Sequence, residues 1–113
     1  MRRVMHGDLV AVARHLLRVP PGARGAAVVR IVERAQAADL YRKRHGRAHP
    51  RWGDGTLRAV VAGAFLPPEP PLSDGRYLQC LIAVLQVLAA RAGDPVAQDM
   101  HSGVVGSGAR RSP

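Results

Sequence analysis

Residues 23–46, ARGAAVVRIVERAQAADLYRKRHG, decide the fold. Val28, Ile31, Val32, Ala35 and Ala38 recur at helical spacing and make one apolar stripe, widened by Val29, Gln36 and Leu40. The spacing predicts a helix that begins near Gly22 or Ala23 and runs to about His45. Gly46 then sits where a helix most readily closes in a left-handed residue. Arg30 and Arg34 lie one turn apart, while Glu33 and Asp39 can pair locally, Asp39 with Lys43 at i+4. Beyond Asp39 the stripe fades into Arg42, Lys43 and Arg44. A helix C-terminus favours cations, so part of that cluster has a structural cause.

Working outward, the segment before this helix has the same period. Leu9, Val12, Ala13, Leu16 and Leu17 follow the helical rule, with Asp8 as the expected N-cap and Arg14 and Arg18 towards the wet side. Val19-Pro20-Pro21-Gly22 ends that helix, because a residue before proline is pushed out of the helical region. On the other side, Arg47–Gly55 reads as a loop, broken by Pro50 and by the Gly53-Asp54-Gly55 turn. Asp54 or Thr56 caps a third helix over Leu57, Val60, Val61, Ala64 and Phe65, which must stop before Pro67. Leu66–Pro71 is an extended connector.

Ser73 or Asp74 caps a fourth helix. Tyr77, Cys80, Leu81, Val84, Leu85 and Leu88 share one face, and Leu78, Ile82 and Val87 spread around its side. So broad an apolar arc points to burial on more than one side, in the bundle or against another subunit. Tyr77, Leu81, Val84, Leu85 and Leu88 are the expected oligomer or partner interface. Gly93 and Pro95 end the helix, and residues 94–113 read as a disordered tail ending in Arg110-Arg111. No strand-period alternation or solenoid-length repeat competes. The fold class is all-α, a bundle of about four helices with a helical hairpin in residues 1–93 and a flexible tail in 94–113.

Composition sharpens this. At 113 residues with 47% hydrophobic but only 4% aromatic side chains, the core must come from Leu, Val and Ile, and a thin core favours association into a homo-oligomer. The formal charge of +9 is almost wholly arginine, since Lys43 is the only lysine. Arginine forks match phosphates and stack on bases, although the codon bias of a GC-rich genome would also raise arginine. One cysteine, Cys80, permits no intrachain disulfide, and neither a secretory signal nor a bilayer-length apolar run is present. The expected location is cytoplasmic, with no membrane partner.

Catalytic and metal chemistry find little footing. There is no closely spaced carboxylate pair and no nucleophile beside a base, and Cys80 lies on an apolar helix face. His45 and His49 have H-x₃-H spacing, with His6 or Cys80 as remote additions, but Gly46 breaks the helix that would align them. Gly103–Gly108 lacks the Lys-Ser/Thr of a phosphate loop. The expectation is no enzyme activity, no metal and no cofactor.

What remains is Tyr41–Gly55, YRKRHGRAHPRWGDG, with Arg42, Lys43, Arg44, Arg47 and Arg51 as candidate DNA-binding residues. It can be a phosphate-binding surface, a docking surface for an acidic partner, or a solvated helix end and loop. Tyr41 or Trp52 could stack on a base, but a core with few aromatics gains most from burying Trp52 as a packing anchor.

Gly46–Leu57, GRAHPRWGDGTL, together with Ala37-Ala38-Asp39 and His6-Gly7-Asp8, resembles a small family of bacterial proteins encoded at the head of gene transfer agent clusters, which are similar to phage small terminase subunits. The resemblance covers about residues 4–92. It implies a non-enzymatic, ring-forming oligomer that binds DNA and hands it to a large terminase subunit. Small terminases often carry an N-terminal helix-turn-helix. Here the helix after Val19–Gly22 is too long and alanine-rich for a recognition helix, which implies binding with little sequence specificity. The competing expectation is a helical protein-interaction module that recruits a partner through Tyr77–Leu88.

Overall fold

The computed structural model describes residues 1–93; the expected tail, 94–113, lies outside the described residues. Four helices carry the chain: α1 (His6–Leu16), α2 (Arg24–His45), α3 (Leu57–Val61) and α4 (Gly75–Ala92), with a 3-10 turn at Pro21–Ala23 ahead of α2. Among the described residues there is no strand, and the one isolated bridge joins His49 to Gly53. The α1 and α2 helices each pack more widely against α3 and α4 than against one another. The proline connector keeps α3 and α4 apart.

The core is aliphatic, as the stripes require. Leu16, Val12, Val28, Val32, Leu57 and Val84 are fully buried, together with Cys80 and Tyr77. Each such side chain contributes roughly 1.5–3 kcal/mol by leaving water. Tyr77 brings a hydroxyl into this interior and satisfies it by donating to Glu69 Oε2 at 2.8 Å. Burial, then the Glu69 carboxylate, pushes the Tyr77 phenol up to about 12. Burial likewise raises the Cys80 thiol, as befits a small core residue.

Several expectations change. The α1 helix starts at His6, two residues before Asp8, so Asp8 is not the N-cap but the third residue of the first turn. Its Oδ2 accepts from the Met5 N–H at 2.8 Å, and its Oδ1 accepts from the Arg58 N–H at 3.0 Å. One carboxylate thus closes the start of α1 and ties α3 to it, which explains why Asp8 is buried. Arg14 is not on the wet side. It donates to the carbonyls of Pro67 at 2.6 Å and Leu66 at 3.3 Å, pinning the connector to α1.

Arg24 is buried at the corner between α1 and α2, where its Nε donates to Leu16 O at 3.2 Å and Val19 O at 3.1 Å. The Val19 carbonyl lies past the end of α1, and Leu16 O otherwise accepts only the Val19 N–H of the closing turn, at 2.9 Å. The α3 helix is a turn shorter than the spacing suggests: Thr56 caps it by accepting from Ala59 N–H, and it ends at Val61. Ala62-Gly63 turn away, leaving Phe65 exposed under the Arg18 guanidinium, 5.3 Å from the ring centroid. Asp74 caps α4 by accepting from the N–H groups of Arg76 and Tyr77.

Candidate nucleic-acid interface

The last turns of α2 and the loop after them build this surface. Gly46, at φ 71°, closes α2 by donating to Arg42 O at 2.8 Å, as the sequence implied. The chain then folds back on the helix. His49 and Gly53 exchange two backbone hydrogen bonds, of 2.8 and 3.1 Å, and His49 Nδ1 accepts from the N–H groups of Arg51 and Trp52 at 3.0 and 3.1 Å. His49 is therefore an organiser of the turn. Gly53 and Gly55 have φ of 82° and 100°, and a Cβ on them would come within 2.5 Å of Ala59 and 2.8 Å of Asp39. No other residue fits at either place.

Trp52 is not the core anchor expected of it. It lies half-buried outside the core, stacked on His49 at 4.6 Å between centroids and 7° between planes, with the Arg34 guanidinium 5.7 Å from its ring centre. His49 meets the Tyr41 ring edge-on at 5.0 Å, and Tyr41 meets His45 at 4.3 Å. The result is a ladder, Arg34–Trp52–His49–Tyr41–His45, that fastens the loop along the flank of α2. The burial expectation fails because the loop returns along the solvent side of α2, whose opposite side already faces Leu57 and Val61.

The five nominated cations divide. Arg42 and Lys43 belong to an ion cluster on the buried Asp39, Arg42 NH2 at 2.9 Å from Oδ1 and Lys43 Nζ at 3.1 Å from Oδ2. Burial would raise the Asp39 carboxyl, but the hydrogen bonds from Arg42 and Lys43 outweigh it and hold the group below its ordinary range. The Nε of Arg42 is buried without a partner. Arg44, Arg47 and Arg51 are exposed, and no carboxylate of the described residues pairs with them.

Arg30 and Arg34, exposed and also without a carboxylate partner, extend the cationic flank up α2. They were not nominated from sequence, although their place two and three turns before Tyr41 on one side of the helix was a usable signal. Arg2, with its guanidinium 3.3 Å from Asp54, and Arg58 stand near the far end of the loop. The Asp54 carboxyl is held low, first by the Thr56 hydroxyl, despite partial burial, and further by the Thr56 N–H and the Arg2 charge.

The carboxylates explain the pattern. Asp8 serves backbone N–H groups, Asp39 the Arg42–Lys43 cluster, Asp54 the turn and Arg2, Glu69 the Tyr77 hydroxyl, and Asp74 the start of α4. Among the described residues only Glu33 is left without such a task. Most acids are engaged within the chain, while Arg30, Arg34, Arg44, Arg47 and Arg51 have no carboxylate partner.

On α4, Tyr77 and Val84 of the expected interface are wholly inside the core, so they have no surface to offer a partner. Leu81 and Leu88 are half-buried, and Leu85 is exposed together with Leu78 and Ile82. Among the described residues, no three metal-ligating side chains come together and no helix is long and apolar enough to cross a membrane.

Residues 2–88 match the model of a protein family described as a domain of unknown function, DUF7742. The chain belongs to that family, whose span takes in all of α1 to α3 and most of α4. No curated protein and no solved structure matches it.

Proposed function

We propose that this protein is a non-enzymatic nucleic-acid-binding adaptor that holds duplex phosphates, with little base readout, along the α2 flank and the loop after it. The observation that carries the reading is the internal use of the acids, which leaves Arg30, Arg34, Arg44, Arg47 and Arg51 facing water with no carboxylate to neutralise them. Guanidinium groups in that state, set on a rigid helix and a tightly hydrogen-bonded turn, gain most from phosphate. Arg42 and Lys43 act from behind: paired with Asp39, they shape the loop's base. The ring ladder is closed on itself, so stacking on an extruded base is not part of the proposal.

The finer reading follows the resemblance to small terminase subunits. It makes the chain a cytoplasmic, homo-oligomeric DNA-packaging adaptor that passes DNA to a large terminase. With about four to five phosphates neutralised per protomer, log K against log salt should fall with a slope of about −4. Affinity for a 30-base-pair duplex, measured by fluorescence anisotropy across a salt series, tests this. Binding that hardly moves with salt, or survives replacement of Arg44, Arg47 and Arg51 by alanine, would sink the reading. The exposed Leu78, Ile82 and Leu85 favour a second reading, a protein-interaction module without DNA, which a salt-insensitive, DNA-blind monomer would support.

A further inference from the structure

Between the first turn of α2 and the length of α4 runs an open groove of about 530 Å³. Two arginines stand in its wall. Arg24 is only 6% exposed and commits its Nε to two carbonyls, yet among the described residues nothing accepts from its terminal amino groups. Arg76 donates to Leu17 O at 3.3 Å across an exposed contact. No carboxylate lines the groove; its other polar side chains are Gln79 and Gln86. Its floor, Ile82, Ala83 and Val87, is apolar. Two arginine ends that open into the groove, with no carboxylate in its lining to pair them and an apolar floor beside them, are complementary to carboxylates attached to something greasy.

Two glycines point the same way. Gly25 and Gly75 line the groove, neither has a positive φ, and a Cβ on either would meet nothing within 4 Å. The fold's own packing does not require them: they stand in the first turns of α2 and α4, where no close approach calls for glycine. Their missing side chains keep the groove open. The groove also continues, through Ile82, onto an exposed stripe of Leu78, Ile82 and Leu85 at i, i+4 and i+7. A small anionic molecule would leave that stripe bare, whereas an amphipathic chain segment covers it.

We propose that the α2–α4 groove docks an amphipathic segment of a partner protein, its Asp or Glu side chains on Arg24 and Arg76 and its apolar side chains on Ile82, Val87 and the Leu78–Leu85 stripe. The site shares no residue with the nucleic-acid surface, and the two claims fail separately.

The test uses the full chain, isotope-labelled for amide NMR, and three synthetic 14-residue helical peptides. All have leucine at i, i+4 and i+7; the flanking positions are Glu in the first, Gln in the second and Lys in the third. The Glu peptide is expected to bind about tenfold tighter than the Gln peptide. Its shifts should gather at Gly25, Gly75, Gln79 and Gln86. Arg76→Glu should turn the preference towards the Lys peptide. Gln79→Glu and Gln86→Glu, both at exposed positions, should weaken the Glu peptide severalfold without touching the core. Gly25→Leu should abolish binding with Tm held, since space is open there.

A triple Arg44/Arg47/Arg51→Ala variant should keep the peptide and lose DNA. Equal affinity for the Glu and Gln peptides, no binding of the Glu peptide, or shifts gathered on the Tyr41–Gly55 loop would overturn the proposal. So would a chain that pairs through α4 and must dissociate before any peptide binds.

Discussion

At the corner where α1 meets α2, guanidinium groups turn inward. Arg24 closes the end of α1 through the carbonyls of Leu16 and Val19, and from α1 itself Arg14 holds Leu66 and Pro67. In the last turn of α2 and the loop after it, Arg44, Arg47 and Arg51 turn outward and touch no acid. The residue type is the same and the physics is opposite. Inward arginines meet backbone carbonyls that a helix end and a proline-rich connector cannot satisfy alone, because prolines supply no N–H. Outward ones sit where the last turn of α2 and the loop beyond Gly46 face water. A net charge of +9 therefore mixes arginines that hold the fold with arginines available to a partner.

The largest effect that could break this contrast is at Arg24. Arg24→Met keeps the stem but strands the Val19 carbonyl and leaves Leu16 O with only the Val19 N–H, so it should cost about 2–3 kcal/mol and lower Tm by on the order of 10 °C in differential scanning calorimetry. A loss within 0.5 kcal/mol would mean that water replaces the guanidinium. Gly55→Ala should come close behind, at roughly 2 kcal/mol, because the methyl group meets Asp39 in a left-handed backbone. Gly46→Ala, with open space around it, should cost only about 1 kcal/mol by urea titration.

Asp39 sharpens the boundary between the two regions, since it draws Arg42 and Lys43 from the outer set to the inner one. Its carboxyl is held below the ordinary value of 3.8, so its contribution is complete above that value and is lost as pH falls through the lower folded one. Acid unfolding followed by circular dichroism should begin below about pH 4. Asp39→Asn should remove part of the slope there, at a cost of roughly 2 kcal/mol near neutrality. The smallest expected change is in stability of the Arg47/Arg51→Ala double variant, within about 0.5 kcal/mol of the parent, while its salt slope for DNA becomes shallower by about 2. Destabilisation beyond 1 kcal/mol would place those arginines in the fold.

Much of the architecture was legible because it rests on local rules. Helical spacing located all four helices, and Gly46, Asp74 and the Asp39–Lys43 pair behave as their positions suggest. Asp8 was misjudged because the second donor to its carboxylate, the Arg58 N–H, could be known only once α3 lay beside α1, fifty residues away in sequence. The α3 helix lost its last turn where the chain had to leave the core for the connector. Trp52 defied the expectation for a large aromatic because its loop returns to α2 on the solvent side, where it stacks on His49 and lies within reach of the Arg34 guanidinium.

The candidate surface shows the same division. The cationic stretch itself needed no structure to find. That Arg30 and Arg34 extend it, that Arg42 and Lys43 are partly withdrawn from it, and that α4 keeps Leu78, Ile82 and Leu85 outside while Tyr77 and Val84 go inside were decided by packing.

By itself, then, the sequence determined an all-helical chain, its breaks, and an excess of arginine with one dense cluster, since apolar period, proline, glycine and charge act over a few residues. Only the tertiary structure decided which arginines are free, because that depends on which carbonyls and carboxylates the folded chain brings within about 3 Å of each guanidinium.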